Sequence, residues 1–252
     1  MWGLLLNGFG AAIILPIYCF IHLRSSPTKR DNALPLNEAK ALAATTALGS
    51  LIPLILMLPP LVDCRIEQQQ AFIALFQITP LLFVTIQYIA VHLITIFRKN
   101  IDHSDADKPF VLQCYIFAGI CSATAHVYAL AVSLFTRNPA TAFSRVYIPS
   151  PANVDPSAPS KITEGAHLFL QYDWIIINLT CILYAYLLFE PHLKTRAPFK
   201  SYVNVRPDLE KQMALLLIAL TTVTLGPGAA VSFAFAARED GSRKGNLALR
   251  RR

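Results

Sequence analysis

Six apolar blocks divide the chain, near residues 1–23, 41–62, 71–97, 110–135, 168–189 and 213–237. Lys, Arg, Pro and polar residues collect in the intervals between them. Each block has about the 17 to 25 residues that a helix needs to cross the hydrocarbon core of a bilayer. Backbone groups in lipid must bond within their own segment, and single barrel strands are about half this length, so the pattern predicts helices. The expected architecture is all-α: a polytopic transmembrane bundle of about six spans. Pro16, Pro53, Pro59, Pro80 and Pro227 become kinks or span ends.

One sizeable extramembrane segment is expected, from Thr136 to His167. Pro139, Pro149, Pro151, Pro156 and Pro159 alternate there with Ser, Asn and Thr, a composition that cannot sustain a helix. It reads as a loop lying over the bundle, and residues 238–252 read as a basic, disordered tail. The first block has no basic leader and holds Asn7 and Pro16, so it is expected to be a span and not a signal peptide. A methionine set directly against a hydrophobic helix also fits a shortened form of a longer protein.

Composition agrees with this pattern. Of 252 residues, 54% are hydrophobic and 15% charged, where an average soluble domain has about 25% charged. Charge placement predicts orientation only in part. The segments Arg24 to Lys40, Arg98 to Lys108 and Lys194 to Lys211 carry four, three and five Lys or Arg. The positive-inside rule puts them in the cytoplasm. Six spans would then place Arg238, Arg243, Lys244 and Arg250 to Arg252 on the far side. Either the tail is exported against its charge, or the number of spans is not six.

Soluble-enzyme motifs are absent: no phosphate-binding glycine loop, no nucleophile elbow, no zinc-binding His pair. The five cysteines show no metal-ligand spacing and read as small core residues. Asp102, Asp105 and Asp107, flanked by Arg98, Lys99, His103 and Lys108, read as a solvated turn. Asn178-Leu179-Thr180 matches a glycosylation acceptor but falls inside a block.

Polar side chains within apolar blocks are the candidates for chemistry, because burying them in lipid is costly. At helical spacing Gln77, Thr85, Tyr88 and His92 share one stripe of the third block. Tyr115, Gly119, Ser122 and His126 share one in the fourth. His167, Gln171, Trp174 and Asn178 share one in the fifth, with Asp173 on an adjoining face. The three stripes are expected to wall one polar interior, or else to bond helices together at about 1 kcal/mol or less per contact. Asp173 and Glu190 are the only carboxylates in or bordering a block interior.

The chain resembles the small membrane-bound terpene cyclases of fungal meroterpenoid pathways, in particular the ascochlorin and ascofuranone type. Local phrases carry the resemblance: Asn7-Gly8-Phe9-Gly10 leading to Leu15-Pro16-Ile17-Tyr18, then Ala39-Lys40-Ala41-Leu42, and Phe169-Leu170-Gln171-Tyr172-Asp173. No catalytic residue is carried over from the family. The resemblance implies an endomembrane protein, as in the endoplasmic reticulum, acting in secondary metabolism on a lipophilic prenylated molecule drawn from the bilayer. Nucleic acid, metal and cofactor have no part in it.

A protonated carboxyl would open an epoxide or protonate an olefin, and aromatic faces would hold the cation. On this reading Asp173 is the acid, placed by His126, Gln77 or Gln171. Phe76, Tyr88, His92, Tyr115, Trp174, Asn178 and Tyr184 line the substrate. The same stripes would also suit a small transporter or channel, or a noncatalytic membrane protein.

Overall fold

The computed structural model describes residues 2–25, 34–56, 65–97, 106–195 and 207–250. All its regular elements are helices. They are α1 (Trp2–Phe9), α2 (Ala11–Ser25), α3 (Leu36–Leu56), α4 (Ile66–Gln77), α5 (Thr79–Phe97), α6 (Lys108–Phe135), α7 (Phe143–Tyr147), α8 (Lys161–Thr195), α9 (Pro207–Leu225) and α10 (Pro227–Arg250). By length and composition α5, α6 and the stretch Lys161–Phe189 of α8 are long and apolar enough to cross a membrane, and Ala11–Ser25 is a shorter apolar helix. Pro59, Cys64, Asp102 and Asp105 lie outside the described residues, as does the end of the second expected span.

Paired contacts fix the relative directions of the helices. Along α6 and α10, Lys108 Nζ bridges to Asp240 Oδ1 at 2.9 Å and the rings of Tyr115 and Phe235 stack at 5.3 Å. Further on, Gly119 lies under Phe233, Ser122 against Gly228 and His126 against Gly226. Ascending numbers on one helix meet descending numbers on the other, so the two are antiparallel. Along α2 and α8, Ala12 meets Asp173 and His22 meets Tyr184, so this pair is parallel. The start of α3 is tied to the start of α6, because Asp107 Oδ2 accepts the Leu34 N–H at 2.9 Å and Lys40 Nζ lies 5.9 Å over the Phe110 ring. Asp107 is only 2% exposed, which corrects its reading as a solvated turn.

The block expected to be one span over 213–237 is two helices that meet at Gly226 (φ +92°). Gly226 N–H closes on the Thr222 carbonyl, the left-handed cap that ends a helix, and Pro227 opens the next at a position where no N–H is needed. Helical rise puts Gly226 about 27 Å from the Lys108 level and Thr195 close to that level. If α9 continued the line of α10, Pro207 would stand about 60 Å from Thr195. Fully extended, the chain between them reaches at most about 43 Å. So α9 turns back along α10, packing on α8, α10 and α6.

Seven of the described helices, α2, α3, α5, α6, α8, α9 and α10, therefore run along the bundle, and three of them, α5, α6 and α8, are long and apolar enough to cross a membrane. The starts of α3, α6 and α9 and the Asp240 turn of α10 share one end. That end also takes the last turns of α2, α5 and α8.

Three further expectations change. The first block breaks at Gly10 (φ +86°) into α1 and α2, with Gly10 N–H bonding Leu6 O and Ile14 N–H bonding Gly10 O. The third block breaks at Ile78, where Thr79 and Pro80 begin a new helix after α4. Helix also extends past the tail boundary, because α10 runs on to Arg250 in place of a disordered segment. Ala, Leu, Arg and Lys between 242 and 250 are good helix formers, and a helix already nucleated by packing propagates through them. The Pro-rich loop is shorter than expected, because α8 already begins at Lys161, and it contains α7 and two 3-10 turns, Pro139–Thr141 and Pro151–Asn153.

Replacing Gly226 by Ala would put a Cβ 2.8 Å from both His126 Cβ and Cγ, on a backbone that side chains disfavour. We expect Gly226→Ala to destabilise by about 1 to 3 kcal/mol. Gly165→Ala, where a Cβ meets nothing within 4 Å, should be neutral or stabilising. Thermal unfolding of the two variants in detergent, side by side, checks the difference; equal melting temperatures would refute it.

Candidate functional site

Asp173 sits where the first block breaks. With Gly10 in the left-handed region, the first N–H groups of α2 lose their helical acceptors. Asp173 Oδ1 accepts the Ala12 N–H at 2.7 Å and so satisfies one N–H of the opening turn of α2. Phe169, one turn earlier on α8, lies against Gly10, 3.7 Å from where a Cβ would stand. His126 has the matching task at the second break, with its Nε2 3.0 Å from the Val223 carbonyl at the end of α9. By helical rise both breaks lie about 25 to 27 Å from the Lys108 level.

The stripe on α8 receives the loop. Gln171, 5% exposed, donates through Nε2 to the carbonyls of Arg145 at 2.7 Å and Ile148 at 3.0 Å. His167 Nε2 shares the Arg145 carbonyl at 2.7 Å, and the Arg145 side chain pairs with Glu164. Trp174 meets Tyr147 with ring centroids 4.9 Å apart, and Tyr147 meets Phe143 at 5.2 Å. Thus α7 is held on the His167, Gln171 and Trp174 face of α8. Burial pushes the Tyr147 hydroxyl above its ordinary range, partly offset by a hydrogen bond with Ser133. A tyrosine kept neutral in the folded state contributes stability in full below the unfolded value of about 10 and loses it as pH rises beyond that.

An aromatic cluster lies toward the Lys108 end of the same α2–α8 seam. Tyr184, 3% exposed, bonds His22 Nδ1 at 2.8 Å. Phe235 stands 5.8 Å from the Tyr184 ring and 5.9 Å from that of His22, and Tyr115 stacks on its other side. Tyr18 and Trp2 continue the cluster at 5.9 and 5.5 Å. Tyr184 and Tyr115, both expected to line a substrate, thus meet through Phe235. His22 and Phe235 escape a reading of the sequence because they lie in the first and last apolar blocks, outside the three polar stripes.

The three stripes do not wall one interior. Gln77, Tyr88 and His92 are exposed, Tyr88 at 74%, and Phe76 is half-buried in α4. The Tyr88 and His92 rings stack on each other at 6.4 Å on the outside of α5. This helix lies at the edge of the bundle and turns a different face to α3, through Phe83 on Gly49 and Gln87 on the Glu38 carbonyl. The stripe on α6 is the seam with α10. None of the three residues expected to place Asp173 is bonded to it: His126 serves Val223, Gln171 serves α7, and only the Gln77 backbone carbonyl is used, by Asn7 Nδ2 at 2.9 Å. Asn178, 8% exposed, donates to Trp174 O at 2.7 Å. Glu190 carries no described side chain.

Removing the Gln171 amide takes two hydrogen bonds from α7. Gln171→Leu should make the segment 136–160 more susceptible to a soluble protease, by roughly the 5- to 30-fold that one or two kcal/mol of local opening implies, while the rest of the bundle stays uncut. Limited proteolysis followed by mass spectrometry reads this directly. An unchanged cleavage rate would mean that the aromatic contacts alone hold α7.

Residues 1–241 match the CtvD domain family. Among curated relatives, Terpene cyclase DEP1 of Fusarium langsethiae is 34% identical over 94% of this chain and 67% of its own length. Terpene cyclase DEP1 of Alternaria brassicicola is 31% identical over 94% and 68%. Terpene cyclase ascI of Acremonium egyptiacum is 29% identical over 73% and 50%. The chain therefore spans about two thirds of the length of the first two. No solved structure matches it. With this match over nearly its whole length, and with relatives that are named fungal terpene cyclases, the chain belongs to the CtvD domain family.

Proposed function

We propose that the chain is an integral-membrane terpene cyclase that starts ring formation in a prenylated, epoxidised meroterpenoid or a related lipophilic intermediate by protonation. The observation that carries the reading is the position of Asp173. This carboxyl stands at a helix break, in sequence beside Trp174, whose ring meets Tyr147 of the covering loop.

The carboxyl has two oxygens with different tasks. Oδ1 accepts the Ala12 N–H, and Oδ2 carries the acidic proton. As that proton passes to the epoxide oxygen, a carbon–oxygen bond breaks with its electron pair going to oxygen. The π pair of the neighbouring olefin then forms the new carbon–carbon bond. The charge left on the carboxylate is shared with a donor already in place, so little reorganisation accompanies the step. Trp174 and Tyr147 offer ring faces to the cation, worth about 2 kcal/mol or more where water is excluded. Loss of a proton from the last cation to the medium closes the balance and lets Asp173 reload.

The apolar composition and length of α5, α6 and α8 support embedding in the bilayer. With seven passes as the proposed topology, the basic start of α6, the end of α2 and Arg238 share one end, and the positive-inside rule assigns that end to the cytosol. The Pro-rich loop and Asp173 then lie toward the lumen of the endoplasmic reticulum or another endomembrane.

Two experiments test these readings. Microsomes from a host lacking such pathways, expressing the chain and supplied with a farnesylated phenolic epoxide, should form a cyclised product. Asp173→Asn should lower turnover by about 10²-fold or more without changing membrane insertion. No product from well-folded protein would overturn the cyclase, and unchanged turnover in the variant would remove Asp173 from the chemistry. For orientation, a glycosylation acceptor built into 150–158 should be glycosylated, whereas one built after Asp240 should not; the reverse pattern would invert the protein.

A further inference from the structure

Charge is divided unevenly between the two ends of the bundle. Residues 24–40, 98–108, 194–211 and 238–252 are the helix ends that gather at the Lys108 level and the stretches of sequence that join or follow them. They carry 18 Lys and Arg against nine Asp and Glu, a net +9, whereas the rest of the chain has four against six, a net −2. Two of the nine acids are engaged by the protein itself. Asp107 Oδ2 accepts the Leu34 N–H, and Asp240 Oδ1 pairs with Lys108.

Two of the cations are met by rings. Arg24, exposed at the end of α2, has its guanidinium carbon 5.1 Å from the centre of the Phe20 ring, and Lys40 Nζ stands 5.9 Å over Phe110. Among the described residues neither is paired with a carboxylate. A ring face stabilises the charge but supplies no oxygen, so the N–H donors of both heads are left for another acceptor. Phe20 is 59% exposed on the flank of α2, so Arg24 stands where an apolar flank ends, which is the level of a bilayer's headgroups. Lys40 reaches the same level from α3. Past them α10 runs about 15 Å beyond Asp240 and carries Arg243, Lys244 and Arg250 in its sequence.

We propose that this end of the bundle docks on anionic phospholipids, with Arg24 and Lys40 each holding the phosphate of a headgroup. The inference rests on the reading of the chain as a membrane protein and adds a lipid preference to it. A phosphodiester oxygen is the acceptor that both heads lack, and it gives a charge-assisted hydrogen bond. The excess of basic residues around them draws a headgroup with net negative charge in preference to a zwitterionic one. The opposite end, with its acidic excess, exerts no such attraction.

The test reconstitutes the full chain in nanodiscs of equal parts phosphatidylserine and phosphatidylcholine with the same acyl chains. Lipids that stay bound on transfer to detergent are counted by native mass spectrometry. Phosphatidylserine should be enriched about 5-fold, the preference that one Lys or Arg near the surface confers. Native protein should also melt higher in the mixed nanodiscs than in pure phosphatidylcholine at about 50 mM salt, and lose most of that gain at about 500 mM. Arg24→Gln combined with Lys40→Gln should remove most of the enrichment. Arg137→Gln combined with Lys161→Gln, the same change of charge at exposed positions of the other end, should leave it intact. Equal retention of the two lipids would overturn the proposal, as would a gain in melting temperature that survives high salt or an equal loss from both double variants. Displacement of phosphatidylserine by inorganic phosphate at constant ionic strength would overturn it too, because the ligand would then be the free anion. Should the Arg24 and Lys40 variant fail to fold, retention and salt dependence on native protein decide. Alkaline carbonate separates the two readings: a chain that it washes from membranes refutes the bilayer, and one that stays but retains both lipids alike refutes the docking alone.

Discussion

A helix broken inside an apolar bundle leaves N–H groups at one lip of the break and carbonyls at the other, and no water is at hand to satisfy them. Two such breaks, at Gly10 and Gly226, organise this protein. Each is made possible by a residue that tolerates positive φ, and each is served by a polar side chain from a neighbouring helix. Asp173 reaches the freed N–H of Ala12, and His126 reaches the Val223 carbonyl. Backbone satisfaction therefore decides where the most conspicuous polar residues of the apolar blocks must stand, before any chemistry is asked of them.

The helices themselves are legible in the hydrophobic pattern, and so is the resemblance to terpene cyclases. The break between α9 and α10 is less visible. Residues 213–237 form one block of acceptable length, yet the Gly226-Pro227 pair inside it is a turn signal. Good helix formers on both sides, Leu220 and Leu225 before the pair and Ala229 and Ala230 after it, hide that signal. The conflict between the basic tail and the basic loops is its sign in the sequence, because one added reversal carries the start of the tail to the other end of the bundle. With α9 and α10 counted separately, Arg238 and Asp240 fall beside Lys108 and the disagreement disappears.

Periodicity identifies shared faces correctly and cannot say what each face meets. Tyr115, Gly119, Ser122 and His126 do share a stripe, and it is the contact surface for α10. His167, Gln171 and Trp174 also share one, and it binds the loop. Gln77, Tyr88 and His92 look equivalent in sequence but lie on the outside, because α5 has one neighbour of any extent and α4 is a separate helix. What a polar stripe faces depends on how many helices surround it, and that number is a property of the assembled bundle.

The division of labour between backbone and chemistry is sharpest at Asp173. A carboxyl used only as a helix cap would do its work with one oxygen and leave the other without consequence. Here Asp173 is followed in sequence by Trp174, whose ring meets Tyr147 of the loop that Gln171 and His167 hold in place. His126, the cap at the other break, is packed against backbone: an added Cβ on Gly226 would stand 2.8 Å from its Cβ and Cγ. Two side chains with the same structural duty thus differ in what remains available to them, and that difference, more than the rarity of a carboxylate in an apolar helix, favours Asp173 as the acid.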